Sequence, residues 1–184
     1  LQPTTMYGVT KVAGELLCDY YHRKYDVDVR SVRYAGIISA ETPPGGGTTD
    51  YAVAIFYEAV RNNRYTCFVN ERTVLPMIYM PDCINAAIGV MEAPSERIST
   101  RHSYNLNGHS FSAAHLAEIV RERSPGFTIE YEPDFRQAIA DSWPDSMDDS
   151  RAAKDWGWRT EWSLERMADD MFTKLRDRKA SGTL

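Results

Sequence analysis

The 184 residues suit one compact domain. With 43% hydrophobic and 26% charged residues, the chain can bury a core without a disulfide or metal staple. Acidic residues outnumber basic ones by 26 to 21, giving a net charge of −5, which argues against a nucleic-acid partner. No apolar run approaches the roughly 18 residues of a membrane span. The three cysteines (Cys18, Cys67, Cys83) form no Cys-x-x-Cys pair, which points to a reducing compartment and away from a disulfide framework or a zinc site.

The first residues, Leu1 to Thr5, carry no charged n-region, no apolar stretch and no Met. The expectation is a chain cut from a longer one, with any targeting segment ahead of Leu1. Residues 5–25 read as a helix, with Val9, Val12, Ala13, Leu16, Leu17, Tyr20 and Tyr21 on a stripe buried along one side, in a private core or in a contact with another chain. Val29 to Ile38 reads as a strand, and Thr42 to Asp50, with two prolines and three glycines, as a loop. Asp50 is placed to cap a helix over Tyr51–Asn62. Further strands are expected at Tyr65–Val69, Leu75–Met80, His102–Leu106 and Thr128–Tyr131. Helices are expected from Pro81 to Ala93, from a Ser112 cap to Arg123, and from a Ser163 cap along Leu164, Met167, Ala168, Met171, Phe172 and Leu175. The end from Arg176 is polar and expected to fray. Trp156 and Trp158 read as anchors for the last helix, and Met77 and Asp82 as packing and capping groups at a strand end.

Strands alternating with helices imply an α/β fold with a largely parallel sheet. No Gly-rich strand–turn–helix is present, so the chain reads as the second part of a doubly wound fold. The expected segments are a catalytic helix and strand over 1–38, a substrate-binding region over 39–175 whose strand near 102–106 returns to the first sheet, and a tail over 176–184.

Three constellations can carry chemistry. In the first, Tyr7 and Lys11 lie one turn apart on a helix, on a narrow strip with Gly14 and Cys18, away from the centre of the apolar stripe. An ammonium one turn from a phenol stabilises the phenolate, and such a phenol can exchange a proton with an alcohol. The same spacing also arises on any amphipathic helix. The second is Gly45-Gly46-Gly47-Thr48-Thr49-Asp50, which is either a flexible loop with a helix cap or a ligand loop of two hydroxyls and one carboxylate. The third is Trp143 between Ser142 and Pro144, a packing anchor or a pocket wall. The four histidines show no metal spacing, no metal is expected, and His22 and His115 read as surface groups.

The segment Tyr7-Gly8-Val9-Thr10-Lys11-Val12-Ala13-Gly14-Glu15-Leu16-Leu17 resembles the catalytic helix of the extended short-chain dehydrogenases/reductases, in the NAD-dependent epimerase/dehydratase superfamily. Within that group, several blocks resemble the short-chain-type L-threonine 3-dehydrogenases. They are Arg33 to Ser39, Pro44 to Ala52, Leu75 to Met77, Ile139 to Pro144, Asp148 to Ser150 and Asp155 to Trp158. The likeness runs to about residue 175.

This resemblance implies the C-terminal part of an NAD-binding Rossmann fold joined to a smaller α/β substrate-binding region. It implies NAD-dependent oxidation of L-threonine to 2-amino-3-ketobutyrate in a homodimer, cytoplasmic in a bacterium and mitochondrial in a eukaryote. Tyr7 is then the general base, and Lys11 holds the nicotinamide ribose and lowers the Tyr7 pKa. The Tyr34-Ala35-Gly36-Ile37 turn lies beside the nicotinamide carboxamide, with Ala35 where relatives usually have Pro. Thr48 and Thr49 face the substrate, Asp50 orients that loop, and Trp143 lines the pocket. The family's Ser or Thr helper and its Gly-rich pyrophosphate turn are not in this sequence. Two alternatives stay open: a sugar-nucleotide epimerase or dehydratase, and an inactive truncated domain. The absence of Arg and Lys from Ser39 to Val60 favours a small zwitterion over a nucleotide sugar.

Overall fold

The computed structural model describes residues 2–184. Leu1, where the first expected segment begins, lies outside the described residues. In chain order the elements are α1 (Met6–Tyr25), β1 (Val32–Tyr34), β2 (Gly36–Ile38), a 3-10 turn (Thr48–Asp50), α2 (Tyr51–Asn62), β3 (Arg64–Cys67), β4 (Val74–Tyr79), α3 (Met80–Glu92), β5 (Tyr104–Leu106), β6 (His109–Ser112), α4 (Ala113–Arg123), β7 (Thr128–Tyr131), α5 (Phe135–Ala140), α6 (Ser150–Trp156) and α7 (Leu164–Ala180). A second 3-10 turn spans Ser95–Arg97. Three strand pairs, β1–β5, β2–β4 and β3–β7, are parallel, and β4–β6 is antiparallel. This is a mixed α/β fold with mainly parallel pairing.

Contacts divide the chain into two interleaved compact units. One takes the residues up to Tyr34, with Ile84–Leu106 and Asp148–Arg159; the other takes Ala35–Cys83, Asn107–Met147 and Thr160–Leu184. The chain passes from one to the other at Tyr34–Ala35, ahead of the boundary expected after Ile38. The single strand expected over Val29–Ile38 is two short strands. β1 pairs with β5 and β2 with β4, and Ala35 between them belongs to neither ladder.

In the first unit, Thr5 caps α1 by accepting from the Gly8 N–H at 3.1 Å, and Asp26 ends it in the left-handed region at φ 54°. Of the two uses expected of the α1 stripe, a private core or a contact with another chain, the private core is not formed among the described residues. Val9, Leu16, Leu17, Tyr20 and Tyr21 are 45–59% exposed, and Asp19 is the one buried residue of the helix. The 3.6-residue periodicity is real, but the described residues offer that stripe no core. What fastens α1 is polar: the Arg33 guanidinium on β1 forks onto Glu15, with Nε donating to Oε1 at 2.6 Å and Nη2 to Oε2. In the same unit, Trp156 meets Tyr104 edge-on at 5.9 Å and lies beside Trp158 at 5.9 Å. The aromatic neighbours of Trp156 are thus Tyr104 and Trp158.

The second unit holds the larger core. α2 buries Tyr51, Ala52, Val53, Ile55, Phe56, Tyr57 and Ala59. Against it lie α4, through Leu116 and Val120, and α7, through Met167, Met171 and Leu175, with Phe56 and Phe172 edge-on at 5.6 Å. Ser112 and Ser163 cap α4 and α7 as expected, accepting from the N–H groups of His115 and Arg166. The frayed end expected from Arg176 is instead helix to Ala180. Arg178 donates to the Ala40 carbonyl and to the Tyr57 hydroxyl at 3.1 Å, and Lys179 donates to the Val60 carbonyl at 2.5 Å. These long basic side chains tie down a turn whose polarity alone suggested disorder.

Candidate active site

Tyr7 and Lys11 stand on the first turns of α1, in the first unit. The Lys11 ammonium lies 5.3 Å from the Tyr7 ring centroid. The phenol is 72% exposed, so its hydroxyl is free to meet a ligand rather than held in a core. On the same strip, a Cβ added at Gly14 would meet nothing within 4 Å. The Glu15–Arg33 fork joins this helix to β1, which ends in Tyr34, a half-buried residue. The Arg33 guanidinium holds the Glu15 carboxyl below its ordinary range, so the fork stays ionised at neutral pH.

Gly36, Ile37, Thr48, Thr49, Asp50 and Trp143 belong to the second unit. Gly36 opens β2, opposite Met77 of β4. A Cβ at Gly36 would lie 2.5 Å from the Met77 sulfur and 2.6 Å from Thr49 Cγ2. The space that only glycine leaves open is thus filled by Thr49 and Met77, so Gly36 seats Thr49. Gly36→Ala is expected to destabilise the protein by about 1–3 kcal/mol through overpacking, read by denaturant unfolding. Adding Thr49→Ser, which deletes the crowding methyl, should recover part of the loss. An unchanged unfolding midpoint in the single variant would show that the notch can relax.

Asp50 does not act as the expected cap of α2, for its side chain makes no capping bond there. Its Oδ2 instead accepts from the N–H groups of Gly45, Gly46 and Gly47 at 2.7, 2.7 and 2.9 Å. Three convergent backbone donors form a nest for one anion, and here the chain supplies its own. The carboxylate thereby fixes the glycine loop and the Thr48–Thr49 turn beyond it. Ile37 is 37% exposed between Gly36 and the buried Ile38. Trp143 is 43% exposed just past α5, where its N–H donates to the Ala140 carbonyl at 3.0 Å.

The sequence reading missed Arg136. It lies 90 residues from Gly46, and its Nη1 donates to the Gly46 carbonyl at 3.4 Å. The guanidinium stacks 3.2 Å from the Phe68 ring centroid and is paired with Asp134. A cation thus reaches the glycine loop although none lies between Ser39 and Val60, but Asp134 neutralises it. The loop also edges a groove of about 600 Å³ along α2, lined by Asp50, Glu58, Asn62, Arg64, Phe68 and Arg136 among others. No local sequence signal pointed to Arg136, since it stands in a six-residue helix too short to show a period.

Neither buried thiol is a candidate nucleophile. Burial pushes Cys67 up to about 11 and Cys83 up to about 12. Among the described residues no helix is long and apolar enough to cross a membrane, and no three His, Cys, Asp or Glu side chains gather as a metal cage.

An exposed phenol and ammonium one turn apart, on a helix of a parallel α/β fold, define a class that comparison makes explicit. The chain belongs to the NAD dependent epimerase/dehydratase family, whose sequence model matches residues 1–106. Within it, the chain is 52% identical over 171 residues to the mitochondrial L-threonine 3-dehydrogenase of Sus scrofa, covering 92% of this chain and 46% of that protein. It is 50% identical over 179 residues to an uncharacterized epimerase/dehydratase of Staphylococcus haemolyticus, covering 97% of this chain and 56% of that one. Among solved structures it is similar to the holo form of a GalE-like L-threonine dehydrogenase from Cupriavidus necator. The TM-score is 0.92 and the identity 57%, over 95% of this chain and 57% of that chain. The chain therefore spans about half the length of the relatives it matches.

The family implies NAD, and the residues present fit the nicotinamide-ribose end of it. The phenol is exposed, the ammonium can donate to ribose hydroxyls, and the open strip at Gly14 leaves room for a flat ligand.

Proposed function

We propose that this protein oxidises the β-hydroxyl of L-threonine to 2-amino-3-ketobutyrate. The observation that carries the reading is the Tyr7–Lys11 pair on an exposed helical turn, in a chain 52% identical to an L-threonine 3-dehydrogenase. NAD, when bound, supplies the hydride acceptor. Tyr7 takes the proton of the substrate hydroxyl as general base. Lys11 donates to the ribose hydroxyls and places positive charge beside the phenolate that accepts the substrate proton. The backbone of Tyr34, Gly36 and Ile37 backs the carboxamide. Thr48 and Thr49 offer hydroxyls to the substrate, and the Trp143 indole keeps water out. Asp50 acts on the substrate only through the loop it holds.

The exposed row on α1 supports self-association into a homodimer through this helix. The compartment follows the source: mitochondrial in a eukaryote, as for the pig relative, and cytoplasmic in a bacterium.

The test is to incubate the full-length protein with NAD and L-threonine and to follow reduced nicotinamide and the amino ketone together. The expected result is equal formation of both. Reduced nicotinamide absent with L-threonine, alongside interconversion of a nucleotide sugar, would replace this reading by the epimerase one.

A further inference from the structure

The Gly46–Gly47 peptide is gripped from both ends. Its N–H donates to Asp50 Oδ2 at 2.9 Å, and its carbonyl accepts from Arg136 Nη1 at 3.4 Å. A peptide dipole between a carboxylate and a guanidinium is polarised by both, and each contact strengthens the other.

Arg136 is itself held in one orientation. Phe68 lies under the guanidinium plane, and Asp134 accepts from Nε at 3.1 Å and from Nη2 at 2.6 Å. The stack and the fork fix the plane, and the Nη1 corner is the one aimed at the loop. The helix that carries Arg136 is fastened in turn. The Asp134 N–H donates to the Phe68 carbonyl at 3.2 Å, and Gln137 accepts from the Asn70 N–H at 2.7 Å and donates to Thr73 Oγ1 at 3.0 Å. The same helix ends at Ala140, whose carbonyl accepts from the Trp143 N–H. One six-residue helix therefore carries both the outer anchor of the glycine loop and the attachment of Trp143.

We propose that Arg136 is a positioning residue, which pins the Gly46 carbonyl against the Asp50 nest and so sets the Thr48–Thr49 hydroxyls and Trp143 in one fixed arrangement. It acts through the loop and touches no substrate. The kinetic part of this proposal rests on the L-threonine reading above; the grip itself does not.

The experiment compares wild type, Arg136→Gln and Arg136→Lys in the full-length protein, by amide hydrogen exchange and by steady-state kinetics. In Arg136→Gln, exchange at Gly45–Gly47 is expected to rise by about tenfold as local opening becomes easier. KM for L-threonine should rise by about 5–20-fold while kcat changes less than about threefold, the pattern of lost substrate placement. NAD affinity should not change. Arg136→Lys should recover only part, because an ammonium neither forks nor stacks as a guanidinium does. Asp50→Asn should accelerate exchange at the same three amides, and the double variant should be no worse than the more severe single one.

Unchanged exchange in Arg136→Gln would overturn the grip. Accelerated exchange with an unchanged KM would overturn the positioning role. If wild type does not oxidise L-threonine, the functional reading falls, and the exchange result still decides the grip by itself.

Discussion

Tyr7→Phe is expected to lower kcat for L-threonine by about 10²–10⁴-fold, the range a general acid–base group contributes. The substitution isolates the hydroxyl. Phe keeps the ring that Lys11 faces at 5.3 Å, so the ammonium keeps its aromatic neighbour. The side chain is 72% exposed, so the fold should change by no more than about 0.5 kcal/mol, as for most surface substitutions. NAD affinity should stay near wild type. Lys11→Met is the contrasting variant. It should weaken NAD binding, which Tyr7→Phe leaves alone, because the ammonium is the group that would donate to the ribose. Retention of more than about a tenth of the activity by Tyr7→Phe would remove the phenol from proton transfer. Equal NAD affinity in wild type and Lys11→Met would reduce Lys11 to a solvated helix residue.

How much of this was legible in the sequence depends on the range of each interaction. Helix α1 was legible because its cap and its period are local: Thr5 lies three residues from the N–H it caps. The fate of its apolar stripe was not, because periodicity states which residues share a face and not what covers that face. The glycine loop was legible as a loop. The direction of Asp50 was not, since a carboxylate at that position can turn forward to cap α2 or back to the glycines, and three convergent N–H groups outbid one helix end. The change of partner at Ala35 is a property of pairing between distant strands, and no residue of Val29–Ile38 encodes it alone. Arg136 lay furthest out of reach. Its meaning comes from Phe68, Asp134 and Gly46, which the fold brings together across 90 residues of chain.

Asp82→Ala is expected to cause the largest loss of stability of any single polar substitution considered, about 3–5 kcal/mol. Asp82 opens α3, where a carboxylate suits the positive end of the helix dipole, and that role was visible in the sequence. Its larger role was not. At 1% exposure, the carboxylate accepts from the Thr160 hydroxyl at 2.7 Å, the Glu161 N–H at 3.1 Å and the Trp162 N–H at 3.3 Å. Those residues lead into Ser163, which caps α7, and α7 seals the core of the second unit with Met167, Met171, Phe172 and Leu175. Alanine leaves one hydroxyl and two backbone donors without their acceptor, each costing about 1–3 kcal/mol when buried, with part regained from water. For a chain of this size the melting temperature should fall by about 6–20 °C, at roughly 2–4 °C per kcal/mol. Thr160→Val removes one donor and leaves both backbone bonds, so it should cost about 1 kcal/mol and fall well short of Asp82→Ala. That gradient separates the two accounts of the residue. If Asp82 only caps its own helix, Thr160→Val changes nothing and Asp82→Ala costs about 1 kcal/mol, the usual loss for a helix terminus. If it pins the approach to α7, both variants lose stability in the expected order, and amide exchange at Glu161 and Trp162 accelerates in Asp82→Ala ahead of global unfolding.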